Sequence, residues 1–529
     1  MKDPIYPKLS FDCLNEIFKH LKNERVTLYS CLFANSGLCK ISVSLLWFHP
    51  FEYLLKDNQY HALIRTLYCC LSESDKQEAH SKGISLPSNL ITPLFDYARF
   101  IRGLDTKNFH LAQMAWKRRS NSTMTMDQIN YVIGNLILQR SDSLRILVID
   151  HKLGFSMNER HCTPYIFFFR VKNAFSNIQE LTIRFHREST LVSTSAYTIR
   201  NLSSLINIIS SQAQSIKKLS AYMDFCFIKE SSLTEFNDNL LGLISKQRNL
   251  IHLSLLGEHC FAFFCLMTKR TSIQPNVFKH LSISNIEDTR TFLHGLSTCQ
   301  NLETLDIHDK LPSEIPYSSM VSENFPSIHI KHLNLFLAFN FKTLTKMLLR
   351  LSGHRLISIR LRYTNSEIID YIRDYSNQLK FLSIGFSSDE AISISNMLPK
   401  LRSLDHLDLV YFNFPREIRD SSIEGMEKSG LEILANSFPS NLNILGLDMI
   451  FPTNKMILDT ILENVQIPLK KLNIYNTMTV EISHTIINYV ERIGGLKKLG
   501  INDKKFKEKW GGHRLIESVS EADHIIHFL

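Results

Sequence analysis

The sequence predicts an α/β solenoid, in which short parallel strands alternate with helices. A six-residue pattern recurs thirteen times in the 529 residues, with leucine-like residues at its first, fourth and sixth positions. Eight of the twelve intervals between successive starts are 23 to 28 residues long, and amphipathic helical segments separate several copies. Regular short units of this kind stack in one dimension. The copies start at Leu144, Ile178, Ile216, Leu250, Phe278, Leu302, Ile330, Leu356, Leu379, Leu404, Leu442, Leu469 and Leu496.

Each copy suits a strand, because side chains on a strand point alternately to its two faces. The second and third leucine-like positions are therefore expected in the core, where each buried side chain contributes about 1.5–3 kcal/mol. In the twelfth copy these are Leu472 and Ile474, while Lys471, Asn473 and Tyr475 are expected at the surface.

Helices are predicted between the strands. Apolar residues recur with helical spacing at 344–351, 457–465 and 482–493. Pattern and interval together resemble leucine-rich repeats. The resemblance implies a horseshoe of about thirteen irregular repeats over 141–503, with strands inside and helices outside. Residues 504–529 are expected to form a carboxy-terminal cap or tail.

The amino-terminal segment 1–53 is predicted to be a small helical module. Leu14, Ile17, Phe18 and Leu21 have the spacing of one helix face. Ser10 or Asp12 is expected to cap this first helix, and Thr27 the second; a third short helix is expected near residues 38–45. Three short helices bury little surface alone, which indicates an interface with a partner or neighbour.

Residues 9–21, 27–33 and 45–47 resemble the F-box motif abundant in fungal F-box proteins. The resemblance implies docking to the Skp-type adaptor of a cullin-based ubiquitin ligase, and through that adaptor to the cullin. It assigns adaptor binding to the apolar residues of the motif, which are Leu9, Leu14, Ile17, Phe18, Leu21, Leu28, Leu32 and Trp47.

The motif departs from the family at three positions. Ser10 stands where the family has proline, Ser36 where it has a basic residue, and Leu38 where it has tryptophan. Two further interpretations therefore stay open. In the first, the chain is a leucine-rich-repeat interaction scaffold without ligase activity. In the second, the module is a helical cap on the end of the solenoid.

Residues 54–140 are interpreted as a helical connector. Their many large apolar residues predict a packed segment rather than a flexible linker. Within it, 74–83 is expected to be a polar loop, 94–101 a helical face, and 129–137 a helix leading into the first repeat strand.

The outward strand positions predict a surface that binds a protein substrate. They are polar, mixed in sign and accompanied by aromatic residues, which suits protein recognition better than uniform phosphate binding. The predicted substrate-binding residues are His280, Asp306, His332, Asn334, Arg360, Arg362, His406, Asp408, Asn473 and Tyr475.

Metal binding and catalysis find little support in the sequence. His252, His280, His332 and His406 precede inward leucines in separate repeats, and solvated strand positions explain them better than a metal site or pH switch. Residues 258–260 read Glu-His-Cys, but three successive residues cannot converge on one substrate atom. The chain is therefore expected to be a non-catalytic substrate-recognition subunit without a cofactor.

Composition suggests an intracellular protein. The ten cysteines form no Cys-x-x-Cys pair, which fits reduced thiols. The formal charge of +9 is spread along the chain, and the basic clusters at 117–119 and 504–509 are interpreted as solvated surface rather than nucleic-acid contacts. Neither a signal peptide nor a membrane span is apparent. A cytoplasmic or nuclear location without membrane contact is expected.

Overall fold

The structure is a computed structural model. It describes residues 10–22, 24–53, 55–87, 90–120, 122–140, 144–152, 173–186, 192–223, 230–258, 260–269, 275–308, 325–336, 342–412, 421–449, 455–475, 480–501 and 516–518.

Helices and strands alternate along most of the described chain. The α-helices are α1 Phe11–His20, α2 Arg25–Cys31, α3 Ser36–Leu46, α4 Asp57–Cys69, α5 Glu73–Ser81, α6 Thr106–Ser120, α7 Met126–Ile129, α8 Asn135–Arg140, α9 Val192–Gln212, α10 Glu230–Ser245, α11 Cys260–Lys269, α12 Thr289–Ser297, α13 Lys342–Ser352, α14 Ser366–Tyr375, α15 Ala391–Met397, α16 Ser421–Asn436, α17 Lys455–Asn464 and α18 Val480–Ile493. The strands are β1 Gly103–Asp105, β2 Ile146–Lys152, β3 Glu180–His186, β4 Lys218–Met223, β5 His252–Leu256, β6 His280–Ser284, β7 Thr304–His308, β8 His332–Phe336, β9 Ser358–Leu361, β10 Phe381–Phe386, β11 His406–Tyr411, β12 Ile444–Met449, β13 Lys471–Ile474, β14 Lys498–Ile501 and β15 Ile516–Ser518.

The chain divides into two compact units. The first comprises 1–259 and 270–274, and the second comprises 260–269 and 275–529. In the first unit, β1 to β5 pair in chain order as parallel neighbours. In the second unit, β6 to β15 do the same. Parallel strands in chain order, most of them joined through helices, give the leucine-rich-repeat solenoid fold that the sequence predicts.

All thirteen sequence patterns form strands, and each strand begins two residues after its pattern starts. The strands pair in one register, so that equivalent leucine-like residues lie side by side. In the second unit, for example, Leu445 pairs with Leu472, which in turn pairs with Leu499. Leu472 is fully buried and Ile474 nearly so, which confirms the predicted core positions.

The same backbone hydrogen bonds recur at the strand starts. The Asp405 carbonyl accepts bonds from the amides of Asn443 and Ile444, and the Asn443 carbonyl accepts from Lys470 and Lys471, at 2.8–3.0 Å. The same bonding pattern extends to β1, a strand that lies inside the predicted helical connector. β1 pairs in parallel with β2, and the Arg102 carbonyl just before β1 accepts hydrogen bonds from the amides of Arg145 and Ile146.

The connector differs from its sequence-based description in two places. Residues 74–83 are not a loop, because most of them belong to α5, where Ser72 and Asp75 form a capping box and Ala79 is buried. Residues 94–101 contain a single 3-10 turn, Tyr97–Phe100, instead of a longer helical face. The expected helix near 129–137 is present as α7 and α8 with a π-turn, Asn130–Gly134, between them.

The helical module joins the first strand through buried contacts. The Phe48 carbonyl accepts hydrogen bonds from the amides of Arg102 and Gly103 at 2.8 and 2.9 Å, so the ladder of bifurcated bonds starts at the module. Asn108 donates its side-chain amide to the Phe51 carbonyl at 2.9 Å, and both residues are buried. These bonds fix the end of the module against the start of the sheet.

Candidate protein-binding surfaces

The module builds its own small core. Phe18, Leu28 and Ile41, one from each of its three helices, are buried together. The Ser10 hydroxyl accepts a bond from the Cys13 amide and so caps α1, as predicted. The predicted cap at Thr27 is wrong, because α2 starts earlier, at Arg25, after Glu24. Leu38, at the position where the F-box family has tryptophan, packs against this core.

One side of α2 exposes apolar side chains. Val26 and Tyr29 are 81% and 56% exposed, and Phe33, in the turn that follows, is 88% exposed. Their spacing of three and four residues places them on one helix face, opposite the buried Leu28. Ile17 on α1 is also exposed, at 46%. We call Val26, Tyr29 and Phe33 the apolar module face.

The structure separates the predicted adaptor-binding residues into different environments. Ile17 lies at the surface, whereas Phe18 and Leu28 belong to the core. The Trp47 ring contacts the Tyr97 ring, with centroids 4.5 Å apart and an interplanar angle of 35°, and thus joins the module to the connector. Leu14, Leu21 and Leu32 are partly buried, and Leu9 lies outside the described residues. Val26, Tyr29 and Phe33 were absent from the predicted set, although their spacing opposite Leu28 was a usable signal.

The second surface is formed by the non-core side chains of β6 to β14 and the residues that directly follow these strands. We call it the strand face. All ten predicted substrate-binding residues lie on these strands or directly follow them, and strand register sets their neighbours. Across β7, β8 and β9, Asp306 pairs with Asn334, which pairs with Arg360. Of the ten, His280, Asp306, His332, Asn334, Arg360, Arg362, His406 and Tyr475 are partly exposed.

Asp306 holds a hydrogen-bonded cluster near one end of this face. Its two carboxylate oxygens accept bonds from the Ser282 hydroxyl at 2.9 Å and the Asn334 amide at 2.6 Å. His308 stacks on Phe336 nearby, with centroids 4.9 Å apart and an interplanar angle of 16°. Burial lowers the pKa of His308, so its imidazole is neutral at physiological pH.

A chain of contacts links Arg360 to Asp408. The Arg360 guanidinium lies 4.8 Å from the centroid of the Phe381 ring. Phe381 meets His406 edge to face, with centroids 4.6 Å apart. His406 Nε2 lies 2.8 Å from Asp408 Oδ1 and forms a hydrogen bond with it. The aromatic ring thus attracts the arginine head group.

Two predicted substrate-binding residues lie below the surface. Asp408 is 2% exposed and Asn473 is 5% exposed, so the expectation that their side chains are available to a partner is wrong. Asp408 occupies the space that a side chain on Gly446 would fill, since an added Cβ there would lie 1.9 Å from its Oδ1. The Asn473 amide donates to the Tyr475 hydroxyl at 3.2 Å, and the Tyr475 ring also lies against Gly446.

Asp448 follows Gly446 on β12 and is expected to make folding pH-dependent. Burial, with the nearby Asp408 carboxylate as a second cause, raises the pKa of Asp448 to about 6. The folded state then binds more protons than the unfolded state between about pH 4 and pH 6, so stability falls as pH rises through this window. The shift corresponds to roughly 2–3 kcal/mol.

Asp448→Asn should remove this loss of folding stability at higher pH, because asparagine does not ionise. We expect the variant and the parent chain to be similarly stable near pH 4, and the variant to be more stable above about pH 6, by denaturant unfolding of the second unit. Equal pH dependence in the two proteins would contradict the assignment.

Burial perturbs the pKa of individual histidines and cysteines. Burial is the main cause of a lowered pKa at His332. Burial also raises the thiol pKa of Cys299 to about 12, which makes this thiol unreactive. In the described ranges, no group of three His, Cys, Asp or Glu residues is arranged to hold a metal ion. His259, the centre of the Glu-His-Cys sequence, lies outside those ranges.

Comparisons with known proteins add distant fold similarity. No protein-family model matches the chain, and no curated protein matches its sequence. A leucine-rich repeat-containing protein, LegL7 from Legionella pneumophila, is similar in structure with a TM-score of 0.33 and 12% identity, over 62% of this chain and 91% of its own. The structure of the yeast Rad7 and Elc1 complex is also similar, with a TM-score of 0.32 and 15% identity, over 64% of this chain and 77% of the matched chain. Both likenesses are too distant to bear on function.

No helix in the described part of the chain is long and apolar enough to cross a membrane.

Proposed function

We propose that this chain is the substrate-recognition subunit of a cullin-based ubiquitin ligase. The apolar module face docks a Skp-type adaptor, and the strand face binds a protein substrate. The observation that carries the proposal is the exposure of Val26, Tyr29 and Phe33 on a module whose sequence resembles an F-box. Large apolar side chains grouped on one helix face are typical of a protein-binding site.

The proposed role is not catalytic. The chain would hold a substrate near a ubiquitin-conjugating enzyme recruited by other subunits, which raises the effective concentration of substrate lysines. The bonds from Arg102, Gly103 and Asn108 to the end of the module support this role, because they hold the module in a set position against the first strands. Turnover of a substrate by the homogeneous, isolated chain would contradict it.

The double substitution Ile17→Asp and Phe33→Asp should abolish adaptor binding. Both side chains are exposed, so the new charges remain hydrated in the free chain but oppose burial in an apolar interface. We expect co-purification of the full chain with a recombinant Skp-type adaptor to fall at least about tenfold. Thermal stability should stay close to that of the parent chain.

Ile392→Asp is the matched control. Ile392 is 53% exposed on α15, so the same chemical change is made at an exposed isoleucine of the second unit. The control should retain the adaptor. Failure of the parent chain to bind the adaptor, or retention of the adaptor by the double variant, would refute the proposed docking.

A second candidate function is that of an interaction scaffold without ligase activity, in which the module only caps the solenoid. The observation that favours it is the Phe48 carbonyl, which starts the ladder of bifurcated hydrogen bonds at β1. Under this alternative the strand face retains a protein partner while neither adaptor nor cullin accompanies the chain. The adaptor experiment separates the two functions.

A further inference from the structure

We infer that Arg360 receives a carboxylate from an acidic segment of the bound protein. The inference rests on the proposed role of the strand face and specifies the chemistry of its ligand. It does not require the module to bind an adaptor.

Arg360 is a cation without an acidic partner among the residues that the structure describes. Its described contact is with the Phe381 ring, which leaves the N–H groups at the guanidinium edge available to an acceptor. Its register neighbours, Asn334 on β8 and Ser383 on β10, are both uncharged. The surface therefore places an arginine between neutral side chains.

The nearest acids of the same register row are already engaged. Both oxygens of Asp306 accept hydrogen bonds within the chain, and Asp408 is buried beside His406. Each lies two strands from Arg360, or about 10 Å at the usual strand spacing, which is close to one Debye length in physiological salt. Neither neutralises the arginine, and charge complementarity therefore favours a ligand carboxylate.

The surroundings of Arg360 suit an acidic peptide more than an isolated anion. The rings of Phe381, Phe336 and His308 lie on the same face and offer apolar contact to the rest of a peptide. A planar guanidinium stacked on a ring binds a carboxylate through two parallel bonds, which a lysine cannot reproduce.

A peptide array tests the inference on the intact chain. The probes are short immobilised peptides of one scaffold sequence that carry a single glutamate, glutamine, lysine or phosphoserine at the central position. We expect the glutamate peptides to retain the chain several-fold better than their glutamine and lysine counterparts. Arg360→Glu should reduce this retention about tenfold, and Arg360→Lys should reduce it in part.

Arg350→Glu is the matched control, because Arg350 is an exposed arginine on α13 of the same unit. It should leave peptide retention unchanged. Equal retention of glutamate and glutamine peptides, equal losses in the two variants, or a preference confined to phosphoserine would overturn the inference. Adaptor binding is measured on the same preparations, so loss of acidic-peptide binding is distinguishable from failure of the ligase proposal.

Discussion

Leu472→Asp is expected to lower the free energy of unfolding of the second unit by about 5 kcal/mol or more. Leu472 is fully buried, and in register it lies between Leu445 and Leu499. A carboxylate at this position has apolar neighbours on both adjacent strands, so it can be neither hydrated nor paired. Because each repeat of a solenoid is stabilised by its immediate neighbours, loss of β13 should also loosen β12 and β14.

Hydrogen exchange resolves this effect along the chain. In Leu472→Asp we expect fast exchange of the amides in β12, β13 and β14, and a lower melting temperature. Lys470→Asp is the control, because Lys470 is exposed two residues earlier and should change stability by no more than about 0.5 kcal/mol. Native-like protection of β13 in the Leu472 variant would contradict the assignment of this residue to the core.

The strand positions were predictable because their signal is local and repeated. A leucine-like residue every second position specifies one buried strand face, and each further copy supports the same register. Leu472 and Ile474 were placed correctly as the second and third leucine-like positions of one copy of this pattern. The first helix of the module was predictable for the same reason, because the local spacing of Leu14, Ile17, Phe18 and Leu21 is typical of one helix face.

The availability of individual surface residues was less predictable, because it depends on neighbouring strands. Asp408 has the same position in its pattern as Arg360, yet only Asp408 is buried. The cause lies one strand away at Gly446, whose missing side chain leaves room for the carboxylate. That contact lies between two strands and therefore has no signature within a single repeat. Asn473 also points towards the surface by alternation, yet it is buried and donates a hydrogen bond to Tyr475 of its own repeat.

Charge composition was misleading in the connector. Residues 74–83 are so polar that they resemble a loop, but the reciprocal bonds of Ser72 and Asp75 start a helix there. A capping box supplies partners for amides at the helix start that are otherwise unpaired, which offsets a weak apolar face. The serine and aspartate spacing was the signal that overall polarity concealed.

Gly385→Ala is expected to destabilise the second unit by about 3 kcal/mol. An added Cβ would lie 1.8 Å from the carbonyl oxygen of Arg362 and 2.4 Å from Cε2 of Phe412. The Phe412 ring is itself buried against Tyr363, and the carbonyl belongs to the backbone that follows β9. Relief of the clash therefore requires β9 and β10 to separate or the chain at Arg362 to move. Position 385 thus requires glycine because a side chain there has no room beside the Arg362 carbonyl.

Gly242→Ala provides the opposite case and separates crowding from any general effect of replacing glycine. Gly242 lies within α10, and an added Cβ meets no atom within 4 Å. Alanine should stabilise the first unit by about 0.5–1 kcal/mol, because it restricts the unfolded backbone without a steric cost. Hydrogen exchange should show weaker protection of β9 and β10 in Gly385→Ala and stronger protection of α10 in Gly242→Ala. Wild-type protection of β9 and β10 in the first variant would mean that the strands tolerate a methyl group at this contact.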